Sequence, residues 1–190
     1  MAYRNGTYIA FHADGKTDPT ASDIKFFNLL KAWTAKKDDD FSFINSHEKT
    51  AAVSDKSKDE TLRKRLVTRL NNSKNLVLII GKTTKFDTDW VPFEIEHAID
   101  KCKIPIIVAY ASSIVETDKA IKDPKKLSKH WPKSLAKRIN DGTASAIHIP
   151  FRKAPIKDAI SQFDINKKPR NKGLGVYSDK AYKEFDIELA

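Results

Sequence analysis

Two short apolar runs, "NLVLIIG" (75–81) and "KIPIIVAY" (103–110), constrain this chain more than any other feature. Each is far below the ~20 residues needed to cross a bilayer. Neither alternates, as a strand with one wet face would. They read as strands buried on both faces, which is the situation of a parallel sheet covered by helices on each side. The stretch between them is amphipathic, and the same order recurs along the chain. Strands are expected at 7–12, 41–46, 75–81, 103–110 and 145–151, and helices at 22–33, 58–73, 88–102 and 154–163. Such alternation predicts an α/β three-layer sandwich around a central, mainly parallel five-stranded sheet. Residues 1–163 form the expected domain. The tail, 164–190, with "NKKPRNKGLG" followed by an amphipathic fragment, reads as an appendage.

Charge narrows the partners. The 190 residues carry 35 Lys and Arg against 25 Asp and Glu, a formal charge of +10. That balance suits a phosphorylated small molecule or another polyanion. The densest basic run, 119–138, has eight Lys or Arg and one Asp but only Trp131 as an aromatic. It lacks the stacking platforms of a single-strand binder and reads as a solvated face rather than a nucleic-acid interface. The single cysteine, Cys102, leaves no intrachain disulfide and fits a reducing, cytoplasmic setting. No stretch reads as a membrane span, and the opening "MAYRNGTYIAFHADG" does not read as a secretory signal.

Ligands of such folds bind beyond the carboxyl ends of the strands, here 11–15, 45–50, 81–88 and 110–116. "IIGKTT" (79–84) suggests a phosphate loop, but the first glycine of that motif would fall on Leu76, inside a strand. Gly81 and Thr83 remain as strand-exit residues able to line a site. "FHADGKTDP" after the first strand lacks the G-x-G-x-x-G of a dinucleotide fold. A strand ending in glycine at position 81 also weighs against a phospho-receiver, which needs an aspartate there. The five histidines show no metal-binding spacing, so no metal is expected. His12 and His47 stand at strand exits, where binding is plausible.

The helix expected at 88–102 holds two glutamates, Glu94 and Glu96, two positions apart and therefore on different faces. Thr88 or Asp89 is the expected cap, and Pro92 is tolerated in the first turn. Val91, Ile95, Ala98, Ile99 and Cys102 form the stripe that packs on the sheet. Trp90, Glu94, His97 and Lys101 form the adjacent row, while Glu96 points to water with Asp100. Glu94 is thus placed at the border of the buried face, one turn after Trp90, where partial desolvation would raise its pKa.

The W-x-x-x-E pattern of Trp90 and Glu94, on the helix after a buried strand, resembles that of TIR domains. "NLVLIIGKTTKFDTDWVPFEIEHAI" (75–99), with Trp90, Val91, Glu94 and Ile95, and the "FH" of Phe11 and His12, is similar to the ThsB proteins of the Thoeris antiphage system. The resemblance implies a flavodoxin-like TIR fold that cleaves NAD, as substrate and without a cofactor, at the nicotinamide–ribose bond. The implied product is a cyclic or conjugated ADP-ribose signal that activates a separate effector, with a phage-derived trigger and self-association as further implied partners. By position, Glu94 becomes the catalytic residue. Phe11, His12 and Asp14, then Asn45, Ser46 and His47, line the nucleotide site, with Gly81, Thr83 and Trp90 around it. The second loop, 45–60, is longer and more polar than that pattern. The alternative is a non-enzymatic TIR module acting by self-association or adaptor contacts, because fold does not fix function.

Overall fold

The structure, a computed structural model, describes residues 4–13, 23–35 and 56–189. Four parallel strands form one sheet in the order β1 (Gly6–Ala10), β2 (Ser73–Ile80), β3 (Ile106–Tyr110) and β4 (Ala146–Pro150). The strand expected at 41–46, second in the sequence reading, lies outside the described residues. The helices are α1 (Ile24–Thr34), α2 (Lys56–Asn71), α3 (Trp90–Glu96), α4 (Lys133–Asn140), α5 (Lys153–Gln162) and α6 (Asp179–Glu184).

Period-two alternation on the strands sorts the core into two layers. Tyr8, Leu76, Leu78, Ile80, Val108 and Tyr110 face Leu66 and Leu70 of α2, Val91 and Ile95 of α3, and Leu135 of α4. Ile9, Val77, Ile79, Ile107 and Ile149 face α1 through Phe26, Phe27 and Leu30, and α5 through Ile156 and Ile160. The sheet is therefore buried on both sides, which is why its strands read as unbroken apolar runs.

Helix α3 runs on without a break into a wider, π-helical turn, His97–Cys102, that stops at Lys103 in the left-handed region (φ 58°). The predicted stripe of Val91, Ile95, Ala98, Ile99 and Cys102 is buried. The expected cap is displaced: neither Thr88 nor Asp89 caps the helix through its side chain. The Asp87 carboxylate accepts from the amides of Asp89 (2.9 Å) and Trp90 (3.0 Å) instead. An aspartate three residues before Trp90 thus holds the first amide of the helix and the one before it.

The basic run at 119–138 is more than a solvated face. Its lysines are exposed, but Pro124–His130 forms a tight 3-10 helix and α4 follows. Trp131, Leu135 and Ile139, four apart, are buried against the sheet with Leu127 packed beside them. The Trp131 indole donates to the Tyr110 hydroxyl (2.6 Å), which pairs with His148 Nδ1 (2.8 Å). His148 Nε2 in turn meets the Gly173 carbonyl (2.8 Å). Burial holds this histidine neutral, its pKa pushed down to about 4.

The segment around Gly175 packs along the free edge of β4. The His148 amide donates to the Gly175 carbonyl and the Gly175 amide to Ala146, so this segment pairs with the strand and covers its open hydrogen-bonding groups. Tyr182 of α6 is fully buried against the α1 and α5 side of the sheet. Glu188 exchanges backbone hydrogen bonds with Asp118 and Ala120. A turn at 171–174 feeds the segment in, closed by the Leu174 amide on the Asn171 carbonyl. Gly173 occupies it at φ +84°, a conformation that favours glycine.

Candidate functional site

The carboxyl ends of β1 and β2 lie side by side, with Ala10 registered against Leu78. The chain leaving β1 carries Phe11 and His12. The chain leaving β2 forms a loop from Gly81 to Asp89 and enters α3. Parallel pairing thus brings together two segments about seventy residues apart, and the chemistry of this edge is built between them.

Gly81 lies under the carboxylate of Asp23, which precedes α1. A methyl group at Gly81 would stand 1.6 Å from an Asp23 oxygen, so the loop needs glycine for this close approach. The Thr84 hydroxyl donates to Asp23 Oδ2 (2.7 Å) and accepts from the Gly81 amide (2.7 Å). Asp23 is buried, and burial raises its pKa although Thr84 and His12 oppose the shift. One step along, His12 Nδ1 meets Asp87 Oδ2 (2.9 Å), while Asp87 Oδ1 holds the start of α3. Asp87 therefore joins the exit of β1 to the helix that carries Glu94.

Glu94 itself is not at a border. It is 2% exposed and directed into the core, where the Tyr8 hydroxyl of β1 donates to Oε1 at 2.5 Å. Trp90 and His97 of its row are half-buried and Lys101 is exposed, but Tyr8 of β1 reaches Glu94 and encloses it. Burial, supplemented by the nearby Asp87 charge and opposed by the Tyr8 hydrogen bond, pushes the Glu94 pKa up to about 8. At neutral pH the carboxyl is therefore mostly protonated. Glu96 is exposed, as expected, and reaches Arg138 at 3.5 Å. Arg138 is buried and bonds Asp100 as well, strapping α4 to the far end of the α3 segment.

Trp90 is half-buried beneath the Arg63 guanidinium, which lies 5.0 Å from its ring and 4.8 Å from that of Phe93. Arg63 also pairs with Asp89. Trp90 is thus part of the clamp between α2 and the start of α3. Phe11 stacks on Phe27 at 4.7 Å, on the opposite side of the sheet from Glu94. Thr83 is half-buried in the loop. Asp14, Asn45, Ser46 and His47 lie outside the described residues.

The structure joins His12 through Asp87 to the start of the helix that carries Glu94, sets Gly81 under Asp23 at the exit of β2, and makes Trp90 the helix anchor. Tyr8, Asp23, Thr84 and Asp87 make these contacts and were not singled out from the sequence. Asp87 carried a usable signal, being one of three capping-type residues before the helix. Tyr8 carried none, because its contact with Glu94 spans 86 positions. Among the described residues no cluster of His, Cys, Asp and Glu could hold a metal ion, and no helix is long and apolar enough to cross a membrane. Against known families, the family model described as Thoeris protein ThsB, TIR-like domain, matches residues 8–115. That span is more than half of the chain and contains every residue of the group just described.

Proposed function

The chain belongs to the ThsB family of Thoeris TIR-like domains, and on that premise we propose that it cleaves NAD at the nicotinamide–ribose bond. In this reading the ADP-ribosyl group is then closed on itself or conjugated, giving a diffusible nucleotide that activates a separate effector once a phage-derived trigger is present. The observation that carries the reading is Glu94, a carboxyl group desolvated beside Tyr8 on the helix that follows the carboxyl end of β2.

The chemistry asks little of a protein beyond one well-placed carboxylate. When the C–N bond breaks, its electron pair leaves with nicotinamide, which becomes neutral, so no acid need assist. The ribose is left as an oxocarbenium-like cation, as in glycoside hydrolysis. A carboxylate held near it stabilises that charge more strongly in a dry site than in water. The elevated Glu94 pKa fits this role, because the positive nicotinamide ring of NAD would favour ionisation as it arrives. The proposal requires that the covered carboxyl be exposed to the ribose on binding. His12 and Thr83 are then placed at the rim of the nucleotide site, with the backbone of Gly81 between them.

One observation favours a second reading, an interaction module. Phe86, in the loop after β2, is 65% exposed, with Lys85 over its ring. An aromatic ring in water suits contact with a second copy or a partner.

Incubation with NAD, with and without extract of phage-infected cells, followed by liquid chromatography and mass spectrometry, separates the two. The enzyme releases nicotinamide, and the mass of the other product distinguishes hydrolysis, cyclisation and conjugation. Intact NAD under both conditions would leave the interaction module standing.

A further inference from the structure

The edge of the sheet opposite His12 holds a feature that the NAD reading does not use. Helix α5 starts after the carboxyl end of β4 and runs back, so its last residues lie at the amino edge. There the Asn75 side chain, near the start of β2, donates to the carbonyls of Ile160 and Phe163 (3.0 and 2.8 Å). Between this helix end and the 166–178 segment opens a cleft of about 550 Å³. That size lies within the range of small-molecule sites.

Phe163, Val176 and Tyr177 contribute the apolar part of its lining. Lys167, Lys168 and Arg170 line it as well, and among the described residues no acidic side chain does. The nearby carboxylates are occupied. Asp158 accepts from the Tyr177 hydroxyl, Asp179 pairs with Lys122, and Asp164 caps the amides of Asn166 and Lys167. Lys167, Lys168 and Arg170 make no ion pair among the described residues. One wall is fixed, because Gly173 is tied to His148 and Gly175 to β4.

We propose that this cleft binds a phosphate-bearing small molecule of nucleotide size, its planar part against Phe163 and Tyr177 and its phosphates among Lys167, Lys168 and Arg170. The apolar part of the lining distinguishes it from a bare anion site, and its position separates it from the edge that carries His12. The inference does not depend on NAD cleavage.

The test uses ADP as the probe, titrated into the full chain by calorimetry, with amide shifts recorded for the same complex. The triple variant Lys167→Ala, Lys168→Ala, Arg170→Ala changes exposed side chains only, and an unchanged melting temperature verifies its fold. Wild type is expected to bind ADP, and the triple variant to bind at least tenfold more weakly. The shifted amides are expected within residues 162–178. Absence of ADP binding by wild type overturns the proposal, as does equal binding by the triple variant or shifts confined to residues 81–94. Inorganic phosphate binding as tightly as ADP removes the nucleotide. Short RNA binding more tightly than ADP, with steep salt dependence, replaces the small molecule by a nucleic acid.

Discussion

Replacing Glu94 by glutamine separates burial of a carboxyl group from every other property of the fold. The ordinary glutamate pKa is 4.5, and in the folded chain it is about 8. Between those values the folded state binds a proton that the unfolded state has released. Stability therefore falls as pH rises through this window, by about 1.4 kcal/mol per pH unit, and the loss levels off above the folded pKa. Glutamine mimics the protonated acid, and its amide oxygen can still accept from Tyr8. The two proteins should match below about pH 4.5, and the variant should gain stability relative to wild type as pH rises. From about pH 5 to 7.5 the ceiling is about 3 kcal/mol, reduced by any local relaxation that lets water reach the carboxylate. Urea unfolding of both proteins across that range isolates the effect, because all other titrations cancel in the difference. A stability difference that stays constant with pH would show that Glu94 titrates as an ordinary surface carboxylate and would refute its enclosure.

Tyr8→Phe removes the hydrogen bond that favours ionised Glu94, so the pH dependence of any Glu94-linked activity should move upward, read from a pH–rate profile. Asp87→Ala removes the helix cap and the partner of His12, and should cost about 1–2 kcal/mol in urea unfolding, with little effect on the far end of the molecule. His148→Gln tests the buried chain under Trp131 with the opposite sign to Glu94. The folded histidine binds its proton only near pH 4, whereas the unfolded one does so at 6.5. Wild-type stability should fall as pH drops through that interval by up to about 3 kcal/mol, and the variant should lose this dependence in acid-unfolding curves.

The sheet was legible because both of its faces are covered. Leu76 to Ile80 and Ile106 to Tyr110 have no wet side, so a continuous apolar run could mean little else. The face of α3 was equally plain in the spacing of Val91, Ile95, Ala98 and Cys102. What the sequence could not supply was depth. Helical spacing puts Glu94 beside the stripe, but only the approach of β1 turns that position into a buried one, through a tyrosine 86 residues away. Charge concealed another element: Trp131, Leu135 and Ile139 keep helical spacing inside the lysine-rich run, and their surroundings drew attention to the surface instead. The tail, read as an appendage, carries no strand pattern in "NKKPRNKGLG", yet Gly173 lets it turn and Gly175 pairs with β4. The residues expected from the loop after the second strand, Asn45, Ser46 and His47, lie outside the described residues.

The central claim is that Glu94, and not its neighbour two positions on, acts on NAD. The most direct measurement is the initial rate of nicotinamide release by wild type, Glu94→Gln and Glu96→Gln under one activating condition. Glu94→Gln should fall by at least 100-fold, on the order of the loss expected when a transition-state charge partner is removed, while Glu96→Gln keeps nearly the wild-type rate. Equal loss in the two variants, or full activity in Glu94→Gln, would contradict the account.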